Sequence, residues 1–363
     1  MSFEQKRLEL FKELTQIYAA SGSEVLMSRA LKKYYEPLCD EILYDNLGSI
    51  VAHKKSKKSN APKVLVLAHM DEVSLHVGDI QKDGTIKINN IPNGIWEQTL
   101  MTQRVVVQTR GGKLVDGVIN SIPPHLLTSE QQNTPMKLSN MIVDIGARSK
   151  EEVMSAGIKL FDPIFVKGEL IELLNGQRLL SKAFDNRYGC ILGIEMLQEL
   201  KNIDLDIDLY VGASVQEEAG LRGAETVAHL IKPDMAIILD CSTAADVGNC
   251  QDAFGRLGDG VLIRVADRSM IAFPMLVDYQ VEMCEKTGAK YQYFTTLGGT
   301  DAGIVHKSLD GVLTLTNCIC ARNIHTSGSI MDTSDYEAAH KVLLGMLKDL
   351  SKERIDGFKL KQR

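Results

Sequence analysis

The sequence predicts an α/β protein: a mixed, mostly parallel sheet flanked by helices, with an inserted small β-rich domain. Three observations carry this expectation. Apolar runs of strand length alternate with segments of helical periodicity, first up to residue 72 and again from 166 onward. From 73 to 165 the texture changes to short alternating runs separated by turn residues. The run Lys63-Val64-Leu65-Val66-Leu67-Ala68 is apolar without alternation, as in a strand buried on both faces. At 363 residues and 44% hydrophobic composition, the chain exceeds the size at which a single core usually keeps growing. Two domains are expected, one built from 1–72 and 166–363, the other from 73–165.

Taken in order, the first helix is expected over 4–19, with Leu8, Leu10, Phe11, Leu14, Ile17 and Tyr18 at helical spacing. Ser21-Gly22-Ser23-Glu24 breaks it, and a second helix follows through Val25, Leu26, Ala30, Leu31 and Tyr34. Strands at 42–44 and 49–52 are joined by the turn Asp45-Asn46-Leu47-Gly48, and the charged stretch Lys54 to Lys58 is expected as a solvated hairpin loop. Within 73–165 strands are expected at 85–88, 104–109 and 114–119, the last two joined at Gly111-Gly112. Residues 123–140 are expected as a polar loop whose mobility the sequence leaves open. Strands at 170–173, 179–180, 207–213 and 235–239 then alternate with helices at 188–201 and 223–231. The last helix starts near Ser334, with Glu337 completing a capping box, and a charged tail begins at 351.

Composition narrows the class of function. A formal charge of −6 argues against a nucleic-acid binder. No apolar run approaches the roughly 20 residues needed to span a bilayer. Seven cysteines (39, 190, 241, 250, 284, 318 and 320) are scattered through a long chain, as expected for reduced thiols of a cytoplasmic protein. Cys318 and Cys320 share one face of a strand and are expected to pack rather than to hold a metal.

Chemistry-bearing residues gather where strands end. His69-Met70-Asp71 follows the run at 63–68, and Asp185 follows Leu179-Leu180. Glu217-Glu218 follows 207–213, Asp240 follows 235–239, and His325 comes after the run 312–316. In open α/β sheets, sites form at the carboxyl ends of strands. Alone, an adjacent Glu pair is a solvated helix start, and a strand-end His or Asp is a turn or cap residue. Together they supply two imidazoles and three carboxylates without a thiolate, a donor set that suits zinc, cobalt or manganese in a dinuclear site. In His-x-Asp the carboxylate can accept the second N–H of the imidazole. Adjacent glutamates can divide the work of hydrolysis, one binding a cation and the other taking a proton from a metal-activated water.

These residues also carry a resemblance. Ala-His-Met-Asp-Glu-Val (68–73), Lys-Ala-Phe-Asp-Asn-Arg (182–187), Gln-Glu-Glu-Ala-Gly-Leu-Arg-Gly-Ala (216–224), Asp240-Cys241, Gly-Gly-Thr-Asp-Ala (298–302) and Arg-Asn-Ile-His (322–325) resemble the signatures of the tetrahedral, TET-type aminopeptidases, which include glutamyl and deblocking enzymes. The resemblance runs through essentially the whole chain in motif order. It departs from the family pattern at Asn323, where Tyr is usual, and at Ser74, where Gly is usual.

The resemblance implies a phosphorylase-like catalytic domain with an inserted β-rich domain serving assembly and access to the site. It implies two divalent ions per subunit, zinc or cobalt first and manganese as an alternative. His69, Asp185 and Asp240 would hold one, and Asp185, Glu218 and His325 the other, with Asp185 bridging. Glu217 would be general base and acid, with Asp71 supporting His69. Gly299, Thr300 and Asp301 are candidates for the substrate pocket, and the alternative for them is a tight loop. The implied activity is removal of N-terminal residues from short peptides by a homo-oligomer, in relatives commonly a tetrahedral dodecamer. A deacylase of amino-acid derivatives on the same scaffold, or a catalytically silent assembly protein, are the alternatives. A pocket for acidic side chains would need a cation, and Arg256, Arg264, Arg268 and Arg322 all qualify by residue type.

Overall fold

The strand Lys63–His69 organises the molecule. Val64, Val66 and Ala68 enter one apolar core, while Leu65 and Leu67 enter another on the opposite face, as the two-residue pleat requires. Its neighbour Met235–Ile238 sends Met235 and Ile237 to the first core and Ala236 and Ile238 to the second. A strand covered on both faces has no solvent side, which is why both runs are continuously apolar. The computed structural model describes residues 5–91, 94–248 and 254–361.

These strands lie inside a six-stranded sheet ordered Glu41–Tyr44, Ile50–Lys54, Asp208–Ser214, Lys63–His69, Met235–Ile238, Leu313–Thr316. The first two pairings are antiparallel and the other three parallel. The helix Phe184–Leu200 packs on the first face, and Arg222–Ile231 with Ala302–Val305 on the second. Gly189 lets the first of these come close. A Cβ there would lie 2.8 Å from the Ala68 Cβ and 3.0 Å from the Leu239 Cβ, nearer than side chains pack.

A second sheet of five strands runs Ile171–Leu173, Arg178–Ser181, Ser329–Asp332, Ile319–Arg322, Cys241–Thr243. The six strands Leu75–Ile80, Ile86–Asn89, Ile142–Asp144, Leu114–Ile119, Arg104–Gln108 and Pro163–Val166 close a barrel around a core of their own, including Leu75, Val77, Val105, Val107 and Ile164. The expected mixed α/β fold is therefore the one observed. No helix among the described residues is long and apolar enough to cross a membrane.

Several local expectations are corrected. Residue 4 lies outside the described residues, and the first helix is Gln5–Leu14, ending before Ile17 and Tyr18. Lys54 to Lys58 is not a hairpin loop. The strands on either side of it are separated by Asp208–Ser214, and the segment crosses over that strand, pairing Lys57 with Asp204 and Lys58 with Asp206. The helix expected near Ser334 is Thr333–Asp349. Its cap is Asp332, whose Oδ1 accepts from the Ser334 amide at 3.0 Å, and Glu337 turns to Arg7 instead of completing a capping box. The tail folds as the helix Lys352–Leu360. The polar stretch 123–140 contains the short helix Ser129–Asn133, closed by a capping box between Thr128 and Gln131. Cys318 and Cys320 pack in one apolar cluster with Leu262 and Phe294, while Cys250 lies outside the described residues.

One buried charge network ties the first helix to the main sheet. Arg187 is fully buried and donates to the carbonyls of Leu14, Ile17 and Met70 at 2.8, 2.8 and 3.2 Å. Its Nη2 and the Lys182 ammonium share the Glu72 carboxylate at 3.3 and 2.8 Å. Burial lowers the Lys182 ammonium to about 8, and Arg187 adds to the fall against the pull of Glu72. Removing Arg187 strips Glu72 of one of its two cations and three buried carbonyls of their donor, so Arg187→Ala is expected to cost about 3–5 kcal/mol of stability. Urea unfolding measures this, and a loss below about 1 kcal/mol, the range of exposed pairs, would mean that the network stabilises nothing.

Candidate metal centre

Parallel register brings three strand ends together. Ser214 is the register partner of His69, so the segment leading to Glu217 and Glu218 leaves the sheet beside it. The Leu239 amide donates to Leu67 O at 2.8 Å, which sets Asp240 on the other side of His69. The other two residues come from the second sheet. Asp185 lies in the first turn of the helix Phe184–Leu200, reached from the strand Arg178–Ser181, and its own φ and ψ of −82° and 106° are not helical. His325 follows the strand Ile319–Arg322, not the 312–316 run expected from sequence. The site is thus built where two sheets meet, rather than on successive strands of one.

The residues converge closely. His69 Nε2 lies 2.9 Å from Asp185 Oδ1 and 3.6 Å from Asp240 Oδ1. His325 Nε2 lies 3.1 Å from Asp185 Oδ2 and 3.1 Å from Glu218 Oε1. Ligand-type atoms within 4.8 Å of one another define three groups: His69, Asp185 and Asp240; Asp185, Glu218 and His325; and His69, Glu217 and Glu218. Asp185 belongs to two of them.

Hydrogen bonds at the far side of each imidazole test whether a cation fits. His69 Nδ1 faces the Asp71 carbonyl at 3.1 Å and its carboxylate at 3.5 Å. His325 Nδ1 faces the Gly94 carbonyl, from the barrel segment, at 2.9 Å. Each Nδ1 is placed to donate to that oxygen, and in the neutral ring this leaves the Nε2 lone pair facing carboxylate oxygens. Lone pair against lone pair is repulsive unless a second proton or a cation stands between them. Glu218 Oε1 is buried and, apart from His325 Nε2 at 3.1 Å, meets no donor among the described residues. The donor set fits divalent ions of the zinc, cobalt or manganese type.

The electrostatics agree. Burial pushes the Glu217 carboxyl well above its ordinary range, and Asp240, Glu218 and Asp301 add to the rise. Burial likewise raises Glu218 and Asp240, each with Asp185 adding to it. Burial would lower His69, but Glu217, Asp185, Asp240 and Asp71 raise it overall, and His325 is raised by Glu218 and Asp185 against the same penalty. Negative charge is in excess here, as in sites that cations complete.

Asp71 has a second task that its motif does not announce. Its Oδ1 accepts from the Glu217 amide at 3.0 Å, and its Oδ2 from the Glu218 amide at 3.2 Å and from Ser21 Oγ at 2.6 Å. Burial opposes its ionisation, but His69, Ser21 and the Glu217 amide hold it below the usual carboxylate range. Of the loop candidates, Gly299 is exposed, and Thr300 is buried with its Oγ1 accepting from the Ala302 amide at 3.2 Å. Asp301 is buried, bonded to Ser214 Oγ at 2.6 Å, and pushed up to about 7 by burial, with Asp240 and Asp71 adding. Arg264 is held by Asp267 and Ser242 at 2.8 and 2.5 Å, and Arg322 by both oxygens of Asp246 at 2.6 Å. Asn323 takes a left-handed φ of 53° and donates to Gly328 O at 3.2 Å, while Ser74 is buried. Ser21, Gly94 and Ser214 were not singled out from sequence. The polar break at 21–24 was the one local signal, and it marked a helix end without saying what its side chains reach.

Comparison with known proteins gives this geometry its class. The M42 glutamyl aminopeptidase family matches residues 48–342. The glutamyl aminopeptidase of Lactococcus lactis subsp. cremoris is 36% identical over 354 residues, covering 96% of this chain and 98% of the relative. The TET aminopeptidase from a marine sediment Thaumarchaeota archaeon superposes with a TM-score of 0.92 at 35% identity, over 98% of this chain and 100% of that one. The Pyrococcus horikoshii TET1 peptidase, which can assemble into a tetrahedron or a large octahedral shell, gives 0.84 at 28% identity, over 95% and 100%. The fold and these relatives define a hydrolase, a metal-dependent aminopeptidase. Within that class, the chain belongs to the M42 glutamyl aminopeptidase family, of the TET type.

Proposed function

We propose that this aminopeptidase removes single residues from the N-termini of short peptides, with Glu217 as proton carrier at a two-ion site. His69, Asp185 and Asp240 hold one ion, and Asp185, Glu218 and His325 the other. The observation that supports this assignment most is Asp185, whose two oxygens are divided between the two imidazoles at 2.9 and 3.1 Å. One carboxylate shared by two cations offsets their repulsion. Zinc or cobalt suits the imidazole and carboxylate donors best, with manganese as the alternative.

When bound, the ions polarise the scissile carbonyl and lower the pKa of water. The Glu217 carboxylate takes the proton of the attacking water as the new C–O bond forms. It returns that proton to the peptide nitrogen as the C–N bond breaks, so the amine leaves neutral. Asp71 fixes the Glu217 and Glu218 backbone and orients the His69 ring. Gly299, Thr300 and Asp301 are assigned to the substrate pocket, with support from Asp301, which is buried and held by Ser214 Oγ at 2.6 Å.

We propose further that residues 73–165 act as an inserted domain through which copies assemble, as a tetrahedral dodecamer, and which bounds access to the site. Support comes from Leu114 and Val118, exposed on one face of a barrel strand, and from the assembling P. horikoshii relative. The free thiols of Cys39, Cys190, Cys241, Cys284, Cys318 and Cys320 support a cytoplasmic setting.

A substrate panel run with and without chelator tests the reading. Aminoacyl-nitroanilides are expected to be cleaved, the activity to vanish on chelation, and zinc, cobalt or manganese to restore it. Cleavage of N-acyl amino acids but not of nitroanilides would overturn it in favour of a deacylase. Activity on neither, with no ion bound, would favour a silent assembly protein. Sedimentation of the intact protein as a monomer would refute the assembly.

A further inference from the structure

Glu24 is a buried carboxylate that caps nothing. It occupies the N-cap position of the helix Val25–Tyr35, yet its side chain makes no capping bond to that helix. It is 5% exposed. Burying a carboxylate is costly unless donors compensate, and two backbone amides offset part of that cost. Oε1 accepts from Gly22 N at 2.8 Å and from Gln216 N at 3.0 Å. Gln216 is the residue before Glu217 and sits at φ 56°, a left-handed conformation that a residue with a Cβ adopts at a cost. The next two amides, of Glu217 and Glu218, are those held by Asp71. Two carboxylates from two distant segments thus grip three consecutive N–H groups, and Ser21 joins them by donating to Asp71.

We propose that Glu24 is a positioning residue for catalysis: by holding the Gln216 amide, it fixes the strained turn that aims the Glu217 carboxylate. This inference rests on the role of Glu217 proposed above. Glu24 is not itself a ligand. None of the three groups of metal-ligating atoms includes it, and its bond is to backbone. Its effect therefore falls on the direction of the base and not on ion affinity. A misplacement of about 1 Å at a catalytic group can cost up to about 10²-fold in rate.

Glu24→Ala and Glu24→Gln, made in the metal-loaded enzyme, test this. In Glu24→Ala, kcat is expected to fall by about 10- to 10²-fold with KM and bound metal unchanged, and hydrogen exchange of the 214–224 segment to rise. Glu24→Gln keeps a carbonyl oxygen for both amides and is expected to restore most of the rate and the slow exchange. Near-normal kcat in Glu24→Ala, metal loss that tracks activity loss, or failure of Gln to rescue would each overturn the proposal. Added to Glu217→Gln, Glu24→Ala is expected to cost nothing further, because residues acting through one group are not additive. If Glu217→Gln itself stays active, the reading of Glu217 fails. If Glu217→Gln is inactive and Glu24→Ala is normal, only the present inference fails.

Discussion

Glu217→Gln is expected to lower kcat by about 10²–10⁴-fold, the usual scale of acid–base catalysis, while the protein keeps its metal. Glutamine has nearly the shape of glutamate and cannot take or return a proton. The main chain at 217 is held by the Asp71 carboxylate at 3.0 Å, a bond the substitution does not touch. The two groups we assign to the ions, around His69, Asp185 and Asp240 and around Asp185, Glu218 and His325, do not use this side chain. Metal analysis beside steady-state kinetics separates the outcomes. An inactive, metal-replete variant is expected. Retained activity sinks the assignment, and metal loss would make Glu217 a ligand.

Asp185→Ala is expected to empty both positions and to bring activity down to that of chelated enzyme. The variant removes at once an oxygen 2.9 Å from His69 Nε2 and one 3.1 Å from His325 Nε2. Glu218→Ala, by contrast, removes a partner of His325 alone, so one ion is expected to remain. Metal per subunit, measured after gel filtration, decides between bridging and terminal roles. One ion retained in Asp185→Ala would refute the bridge.

Much of the site could be read from sequence because part of its logic is local. His69, Glu217 with Glu218, and Asp240 each follow an apolar run, and adjacent parallel strands carry such ends to one edge. The rest depends on pairings that leave no local mark. The strand leading to Asp185 and the strand leading to His325 belong to a sheet whose members are far apart in sequence, and nothing in 319–322 names its partner. The crossover at 54–58 looked like a hairpin because the strand inserted between its flanks arrives some 150 residues later. The final cap was misplaced by two residues because Asp332 and Ser334 are both good caps, and only the pairing of Glu337 with Arg7 removes the capping box. The bridging role proposed for Asp185 and the proton role proposed for Glu217 rest on resemblance, since spacing alone leaves the carboxylates interchangeable.

The contacts of the two histidines have a consequence for the order of folding. His69 reaches across 116 residues to Asp185, Asp185 across 140 to His325, and His325 across 231 to Gly94. Contacts of such separation form late, because loop closure must be met before they reward the chain. Both sheets and the barrel segment must be in place before the full donor set exists. Ion uptake is thus expected to report completed folding, because the donor set we assign to the ions is assembled only when both sheets and the barrel segment are in place.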